Sequence, residues 1–549
     1  MDLAPGQPVP MPEGFVVEWG DSEEERLLWF WDDIHSPTPA TPAHVSVQGV
    51  TTKGAARAGT ETRDPRRGRR KRINGYSYSA APPESPAQEE MEDYQRRMGD
   101  IVAGTRNRWD TEFLPRLMRD LAYMRSTDLA APSDARFLEL LDEFLDLGQH
   151  HWYIHALTVG PLMNATGRLA TLYEEIMGSG DEADPYRLLA GYPNKTLEAD
   201  LALRDLAAGA RRSEEVREAF LRPPDRVLDA LAFSAPGMVF RQGLDAFLDT
   251  YGYRSLGTDI SDPSWREDPT FALLMLNGHI HGRPKDLEAE AAALAVDREE
   301  RVAGVLRRIG PNDDLRGRFQ TILAQCQALW PLREDHSFYI DQSSAVLIRY
   351  ALLEAGRRLA SAGRLTAQDE VFFLTLEEVR EGLAGGGDDL RGPVAERLAS
   401  RERHASVTPP PFLGTMPTGD GPGFDSEIRK FTNPVVITPD GDNPSTLRGI
   451  SGSAGTASGV ARVVRSAAGF AAVRPGDILV CRSTTPAWTA IFGTVAALVT
   501  DSGGVLSHTA IVAREYGLPS VVGTKYATRF IRDGQPLTVD GDAGLVHLH

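Results

Sequence analysis

The pattern with the most chemical content is a histidine that follows a glycine pair. Residues 495–499 form an apolar run that predicts a buried strand. Gly503 and Gly504 come next, and residues 507–516 predict a helix that a glycine and a proline end. His508 therefore lies at the start of a helix that follows a strand and a glycine-rich turn.

This position suits the binding of a phosphoryl group. The first N–H groups of a helix lack partners within the helix, and the helix dipole is positive there. Gly503 and Gly504 allow a phosphate to approach the backbone. Ser507 can cap the helix or bond the phosphate, Thr509 offers a second hydroxyl, and the imidazole of His508 can carry the group. The spacing alone favours a simpler alternative, a surface histidine at a helix start, because strand–glycine–helix units are common.

A longer stretch, GGVLSHTAIVAREYGLPSVVGT, closely resembles the phosphohistidine swivel domain, the mobile domain of PEP-utilising enzymes. Phosphoenolpyruvate synthases, pyruvate phosphate dikinases, rifampin phosphotransferases and phenylphosphate synthases share this domain. The resemblance implies that His508 is the phosphoryl carrier. Leu506 stands where phosphoenolpyruvate-using members usually carry a threonine, which weakens a phosphoenolpyruvate interpretation. Upstream, TTPAW resembles the family segment near the active histidine and implies that Thr484 and Thr485 help to hold the phosphate.

A candidate acid–base group lies in the run LREDHSFYID, which is similar to a segment of phenylphosphate synthase-like proteins. His336 can take a proton from an acceptor hydroxyl as the phosphoryl group arrives, because a histidine titrates near neutral pH. Glu334 or Arg333 would assist it. The alternative is plain ion pairing of Arg333 and Glu334 at a helix start.

Residues 247–269 resemble a segment of the helical domain in relatives of rifampin phosphotransferase and phosphoenolpyruvate synthase. Arg254, together with Arg333, is the candidate for binding phosphate in the acceptor pocket. The alternative is that Arg254 and Arg266 pair with the nearby carboxylates of Asp259 and Glu267.

Candidate substrate-binding residues come from two aromatic runs. His151 and His155 share a helix face with Trp152 close by, but without a glutamate or cysteine partner we predict no metal site and favour satisfied pocket histidines. Trp31 and His35 lie in WFWDDIHSPTPATP, which resembles the opening of phosphotransferases related to the phenylphosphate synthase large subunit. Aromatic anchoring of a loop is the open alternative for Trp31 and His35.

The elements that position these residues predict a multidomain chain, with a mainly α-helical substrate domain followed by a small α/β swivel domain. The expected boundaries are 1–88 for an irregular N-terminal region, 89–404 for the helical domain, 405–448 for a Pro/Gly-rich linker and 449–549 for the swivel domain.

Local patterns add further expectations. Separate helices are predicted at 133–153 and 160–177, a loop at 279–281, a solvated basic loop at 63–72, and a short strand before a capped helix in 366–381.

Composition excludes several classes of function. The 549 residues predict two to four domains, and the net charge of −18 argues against a general binder of nucleic acid or of anionic membranes. The two cysteines lack metal spacing, which is typical of a reduced, cytoplasmic protein. No apolar run approaches the roughly 20 residues of a membrane helix.

The leading hypothesis is a split phosphotransferase, because no segment before residue 430 has the pattern of an ATP-grasp domain. The resemblance implies a separate ATP-grasp partner that binds ATP and Mg²⁺ and loads His508. The phosphoryl group would then pass to a hydroxyl of a small organic molecule. One alternative is a dehydratase that phosphorylates an alcohol and eliminates phosphate. Another is a non-catalytic phosphocarrier subunit.

Overall fold

The computed structural model describes residues 7–65, 68–80, 86–178, 180–282, 287–386, 389–416, 445–465 and 467–549. The chain divides into two compact units that are each built from discontinuous segments. The N-terminal unit comprises Met1–Asn164, Gly257–Asp262 and Tyr339–Phe424, and the C-terminal unit comprises Ala165–Leu256, Pro263–Phe338 and Asp425–His549.

The described residues form twelve strands in two sheets. The strands are β1 Leu28–Trp31, β2 Arg69–Ile73, β3 Tyr76–Ala80, β4 Phe412–Gly414, β5 Thr446–Arg448, β6 Ile450–Ser453, β7 Thr456–Val464, β8 Ile478–Cys481, β9 Ala497–Thr500, β10 Ser520–Val522, β11 Pro536–Asp540 and β12 Leu545–Leu548. The N-terminal unit contains the order β2-β3-β1-β4, and the C-terminal unit contains β5-β12-β11-β7-β8-β9-β10-β6.

The N-terminal unit combines its antiparallel sheet with helices. Tyr76 and Tyr78 alternate with serines, so that one face of β3 is buried, and Asn74 and Gly75 supply the two positive φ angles of the hairpin turn between β2 and β3. Its helical segments are Ser22–Arg26, Pro42–Thr62, Gln88–Arg108, the π-helix Trp109–Phe113, Leu114–Ser126, Ala345–Ser361, the 3₁₀ segment Gln368–Phe373, Leu376–Leu383 and Arg391–Ser406. Two further helices, Asp134–Met177 and the π-helix Ser337–Ser344, contribute residues to both units.

The C-terminal unit joins a set of helices to the eight-stranded sheet. Its helical segments are Asp184–Arg187, Lys195–Arg211, Glu214–Ala219, Pro224–Leu231, Ala235–Tyr251, Thr270–His281, Leu287–Ile309, Asp313–Leu329, Leu332–His336, the 3₁₀ segments Ala467–Ala472 and Pro486–Trp488, Thr489–Phe492, His508–Glu515 and Ala527–Phe530. One core joins helical residues such as Phe271 to sheet-side residues such as Phe492, and a second core fills the other face of the sheet around Val480 and Val499.

The strand–helix–strand unit predicted around His508 is present. β9 runs parallel to β10, and the helix His508–Glu515, hereafter the His508 helix, connects them. β8 and β9 are buried along their whole length, as expected for parallel strands covered on both faces. The chain is therefore multidomain and mostly helical. Its C-terminal part forms an α/β module, which contains β5 to β12 and the short helices between them.

Several local predictions were wrong. Residues 133–153 and 160–177 belong to one helix, Asp134–Met177, which continues through Pro161 although a proline removes one backbone hydrogen bond. His279 and His281 end the helix Thr270–His281 and do not form a loop.

Two further segments also differ from their predictions. The basic run contributes β2, and residues 368–373 form a 3₁₀ turn instead of a strand. The helix Pro42–Thr62 lies in the region predicted as irregular, because its low apolar content hides the pattern.

The predicted linker is only partly described. β4 and β5 lie inside residues 405–448, and residues 417–444 lie outside the described part of the chain. The four domain boundaries stay a prediction. Among the described helices, none is both long enough and apolar enough to cross a membrane.

Candidate functional site

His508 owes its position to the turn that follows β9. Gly503 has a φ of +104°, and a Cβ atom at this position would lie 2.8 Å from the Ser507 Oγ. Ser507 is the N-cap of the His508 helix, and its Oγ accepts a hydrogen bond from the Ala510 N–H at 3.4 Å. The turn therefore requires a glycine at position 503, and it sets His508 as the first residue of the helix.

Hydroxyl groups support the start of this helix. The Oγ1 atoms of Thr484 and Thr509 are 2.7 Å apart and buried. In such a pair one hydroxyl donates, so the hydrogen of the other stays available for a further acceptor. The Thr485 Oγ1 and the Trp488 Nε1 donate to the Leu256 carbonyl at 3.5 and 3.0 Å. Their loop is thus attached to the segment that carries Arg254.

Glu334 is the acidic residue that reaches His508. Its Oε1 lies 3.3 Å from the His508 Nδ1, its Oε2 accepts from the Thr196 Oγ1 at 2.8 Å, and the side chain is buried. Burial disfavours the carboxylate, but the charge and hydrogen bond of His508 and the Thr196 hydroxyl hold the pKa of Glu334 at about 2. An ionised carboxylate only accepts hydrogen bonds, so Nδ1 is the donor and Nε2 is left for chemistry.

The helix Leu332–His336 is fixed by its own acidic and basic residues. The Asp335 Oδ1 accepts from the Lys195 N–H at 2.8 Å, and the Arg333 guanidinium donates to the Leu506 carbonyl, two residues before His508. Arg333 therefore does not simply pair with Glu334. His336 is buried, and its Nδ1 donates to the Leu332 carbonyl at 2.7 Å. A catalytic role for His336 stays a prediction.

Arg254 is a buried cation beside Glu334. Only 2% of the residue is exposed, and its guanidinium lies 5.5 Å from the Trp265 ring centre and 5.1 Å from that of Phe338. Its Nε has no hydrogen-bond partner among the described residues. Burial lowers the pKa of Arg254 to about 10, while the charge of Glu334 favours the protonated form.

The polar residues of this segment have other contacts besides the ion pairs considered from the sequence. Glu267 accepts from the Ser264 hydroxyl at 2.8 Å, Arg266 pairs with Asp249, and Asp259 is held by Thr41 within the N-terminal unit. Arg254 is therefore a buried positive charge near the histidine, with aromatic rings in place of a carboxylate.

The remaining predicted residues belong to the N-terminal unit. His151 is fully buried; its Nδ1 lies 2.7 Å from the Ser344 Oγ, and its Nε2 lies 3.5 Å from the Asp120 carboxylate. The His155 Nδ1 lies 2.9 Å from the Asp341 carboxylate, and its ring centre is 4.7 Å from that of Trp152. Both histidines thus have polar partners, and their substrate-binding role stays a prediction.

Trp31 and His35 also lie in the N-terminal unit, near β1. The Trp31 Nε1 donates to the Ser36 carbonyl at 2.8 Å, and its ring meets that of Tyr76 edge-on. His35 pairs with Asp32 at 2.9 Å, and this carboxylate raises the pKa of His35. These contacts suit aromatic anchoring, and substrate binding by the pair stays untested.

Sequence reasoning missed four residues around His508: Thr196, Asp200, Glu515 and Tyr516. Burial, with the negative charge of Glu334, raises the pKa of Glu515 to about 8. Asp200 accepts a hydrogen bond from the Tyr516 hydroxyl at 2.7 Å. In the sequence, Asp200 is marked only by Arg204 four residues later. That spacing predicts an ion pair on a helix surface and not a hydrogen bond to Tyr516.

Two family models match the chain. Residues 155–334 match the rifampicin phosphotransferase fourth domain, and residues 473–544 match the mobile domain of PEP-utilising enzymes. The second match contains His508, Thr484 and Glu515, and the first ends at Glu334. The predicted resemblance to swivel-domain phosphotransferases is confirmed.

Curated relatives agree with these matches. Chondramide synthase of Chondromyces crocatus is 34% identical over 569 residues, which cover 100% of this chain and 14% of that protein. An uncharacterised phosphotransferase of Bacillus subtilis is 31% identical over 79% of this chain and 51% of its own length. A rifampicin phosphotransferase of Streptomyces sviceus is 34% identical over 70% of this chain and 43% of its own length. The chain thus spans about half, or less, of the length of these relatives.

Proposed function

For a chain that is similar to rifampicin phosphotransferases and contains the mobile domain of PEP-utilising enzymes, we propose a phosphotransferase activity with His508 as the phosphoryl carrier. The observation that carries this proposal is the contact between the His508 Nδ1 and the buried Glu334 carboxylate at 3.3 Å. The carboxylate comes from the segment that matches the rifampicin phosphotransferase fourth domain, and the histidine comes from the mobile domain. Their contact supports a carrier that reaches the acceptor side.

The carried phosphoryl group belongs on Nε2 of His508. Loading forms a bond between the β-phosphorus of ATP and Nε2 as the P–O bond to AMP breaks, and water then cleaves the bond to the γ-phosphate and releases phosphate. Glu334 keeps the Nδ1–H oriented and stabilises the positive charge that phosphorylation places on the ring. Transfer breaks the P–N bond and forms a P–O bond to the acceptor hydroxyl. The hydroxyl proton passes to a base, for which His336 is the candidate.

Positive groups meet the negative charge of the phosphoryl group. The N–H groups at the start of the His508 helix, with Gly503, Gly504 and the Thr484–Thr509 hydroxyl pair, form one side. Arg254 and Arg333 form the other. A phosphoryl group would give Arg254 the anionic partner that the described residues do not supply, which favours binding at the moment of transfer.

ATP and Mg²⁺ act in the loading step, on an ATP-grasp partner. This assignment rests on the sequence pattern of the chain and on the family resemblance, which implies release of AMP and phosphate. The alignment of the whole chain with a small part of chondramide synthase supports a module whose other catalytic parts lie outside it. The acceptor is then a hydroxyl-bearing small molecule, of the kind that natural-product assembly provides.

The product of the reaction tests this proposal. The protein, a candidate ATP-grasp partner, Mg²⁺ and ATP labelled at the β-phosphate are incubated with hydroxyl-bearing acceptors, and the products are identified by mass spectrometry. We expect a phosphate monoester that disappears with His508→Ala. An alkene with free phosphate would instead establish the dehydratase, and a labelled protein that never discharges to any acceptor would establish a non-catalytic phosphocarrier.

A further inference from the structure

A buried polar cluster holds the far end of the His508 helix. Asp200, on the helix Lys195–Arg211, is 2% exposed. Its Oδ2 accepts hydrogen bonds from the Tyr516 hydroxyl at 2.7 Å and from the Arg204 Nε at 2.9 Å. The His279 Nε2 lies 3.5 Å from the other carboxylate oxygen. Tyr516 is the only one of these four residues that comes from the α/β module.

Tyr516 is the C-cap of the His508 helix. The two ends of this short helix therefore make separate contacts with the helical segment, which comprises residues 165–256 and 263–338 of the C-terminal unit. At the N-terminal end, Glu334 bonds His508; at the C-terminal end, Asp200 bonds Tyr516. Eight residues separate the two contacts, a span of roughly 12 Å along a helix. Val512 and Ala513 pack in the core shared with the helices, and the two polar contacts at the ends fix the direction of the helix within that packing.

The charges of the cluster identify the donor. Burial opposes ionisation of Asp200, yet the neighbouring His279 imidazole, the charge of Arg204 and the Tyr516 hydroxyl hold the pKa of Asp200 below the usual range. Burial and the Asp200 charge raise the pKa of Tyr516 well above its usual value. The tyrosine therefore keeps its proton, and its hydroxyl donates a hydrogen bond to the Asp200 carboxylate. Hydrogen bonds to an ionised group are stronger than those between neutral groups.

The cluster can also lose its hydrogen bond to Tyr516 without leaving Asp200 unpaired. Arg204 is bonded to Asp200 from within the same helix, so the carboxylate keeps a cationic partner when Tyr516 departs. Three buried polar atoms of the cluster, the Asp200 Oδ1, the Arg204 Nη2 and the His279 Nε2, make no hydrogen bond with a described residue. These atoms allow the remaining three side chains to rearrange around the carboxylate after the tyrosine leaves.

We propose that Asp200 and Tyr516 form a releasable latch that positions the His508 helix for phosphoryl transfer to the acceptor. The two are positioning residues that act through His508, and the inference rests on the proposed function. Phe492 lies between the two ends of the His508 helix. Its ring centre is 6.4 Å from that of Tyr516, edge-on, and 6.5 Å from that of His508.

A distance measurement tests the latch without any activity. Spin labels at Glu218→Cys and Ala543→Cys, both exposed, report the separation of the helical segment and the α/β module. The two native cysteines are buried, so they compete little for the label. We expect Tyr516→Phe to lower the ratio of latched to released molecules by about tenfold to a hundredfold, the worth of a hydrogen bond to a charged group.

Two matched variants sharpen the measurement. Tyr526→Phe removes a hydroxyl from the same α/β module outside the cluster, and we expect the distance distribution of the parent protein. Asp200→Asn should release the helix as Tyr516→Phe does. The double variant should have the same ratio of latched to released molecules as either single variant, because both substitutions remove one shared interaction. Equal distributions for Tyr516→Phe and the parent would overturn the latch.

The two half-reactions separate the latch from the proposed function. We expect Tyr516→Phe to accept phosphate on His508 at the parental rate and to discharge it to an acceptor about tenfold more slowly, with the melting temperature lowered by only a few degrees. An unchanged discharge rate would overturn the positioning role. Absence of any phosphate on His508 would overturn the proposed function instead, while the distance measurement would still decide the latch.

Discussion

At the scale of single residues, the site brings together one histidine, one carboxylate and one buried arginine. Glu334 is buried and ionised, with a pKa of about 2, because His508 and Thr196 hydrogen-bond it. Arg254 makes no ion pair within the described part of the chain, and its guanidinium lies near the Trp265 and Phe338 rings. In the proposed reaction the two opposite charges act differently. The carboxylate orients the imidazole, and the guanidinium binds the negatively charged oxygens of the phosphoryl group during transfer.

Glu334 predicts an acid-sensitive contribution to stability. Because folding lowers the pKa of Glu334 from the ordinary glutamate value of about 4.5, the contribution is present above pH 4.5 and is lost as the pH falls toward 2. We expect Glu334→Gln to lower the free energy of unfolding at pH 6 and to lose most of this effect by pH 3. Denaturant titrations at both pH values measure it, with Glu139→Gln at an exposed glutamate as the control. A deficit that stays the same at pH 3 would contradict the assignment.

Arg254 predicts a separation of stability from activity. Burial of the Arg254 cation costs more free energy than the charge of Glu334 returns, so Arg254→Met should leave the melting temperature unchanged or raise it. Discharge of phosphohistidine to an acceptor should fall by at least tenfold, since the positive charge near the transferred group is gone. The matched control is Arg266→Met, whose guanidinium pairs with Asp249. Full discharge activity in Arg254→Met would remove this residue from the phosphate site.

At the scale of elements, the turn after β9 does the positioning. The strand, the glycine pair and the His508 helix were predictable from sequence, because apolar runs, glycines and an N-cap serine act locally. The contacts of Glu334 with Thr196 and of Asp200 with Tyr516 were not, since their partners are 138 and 316 residues apart. His336 was predicted as a candidate base only because a histidine titrates near neutral pH. In the structure, Glu334 and not His336 contacts His508.

Gly503 predicts the cost of disturbing the turn. An alanine there combines a positive φ with a Cβ atom only 2.8 Å from the Ser507 Oγ, so Gly503→Ala should destabilise by about 1–3 kcal/mol and displace His508. Gly476→Ala is the control, because its φ is also positive but its Cβ would meet no atom within 4 Å. We expect both variants to lose stability and only Gly503→Ala to lose phosphorylation of His508. Equal phosphorylation of both would show that the turn tolerates a side chain.

At the scale of the whole molecule, the chain consists of two discontinuous units, and the His508 contacts lie within the C-terminal one. In the α/β module, the apolar run at 495–499 predicted β9 to within two residues, whereas β5, β6 and β12 were not predicted. The N-terminal sheet was not predictable, since β1 and β4 lie far apart in sequence and pair only through the folded chain. The alignments with the curated relatives cover about half, or less, of the length of those proteins.

The most direct measurement is the site of phosphorylation on the protein. Phosphoramidate, a small donor that phosphorylates histidine, or ATP labelled at the β-phosphate with an ATP-grasp partner, is reacted with the parent protein and with His508→Ala. The account predicts an acid-labile, alkali-stable label on the parent alone, with the ³¹P resonance of an Nε2 phosphohistidine. A label of equal intensity on His508→Ala, or one confined to Nδ1, would contradict it.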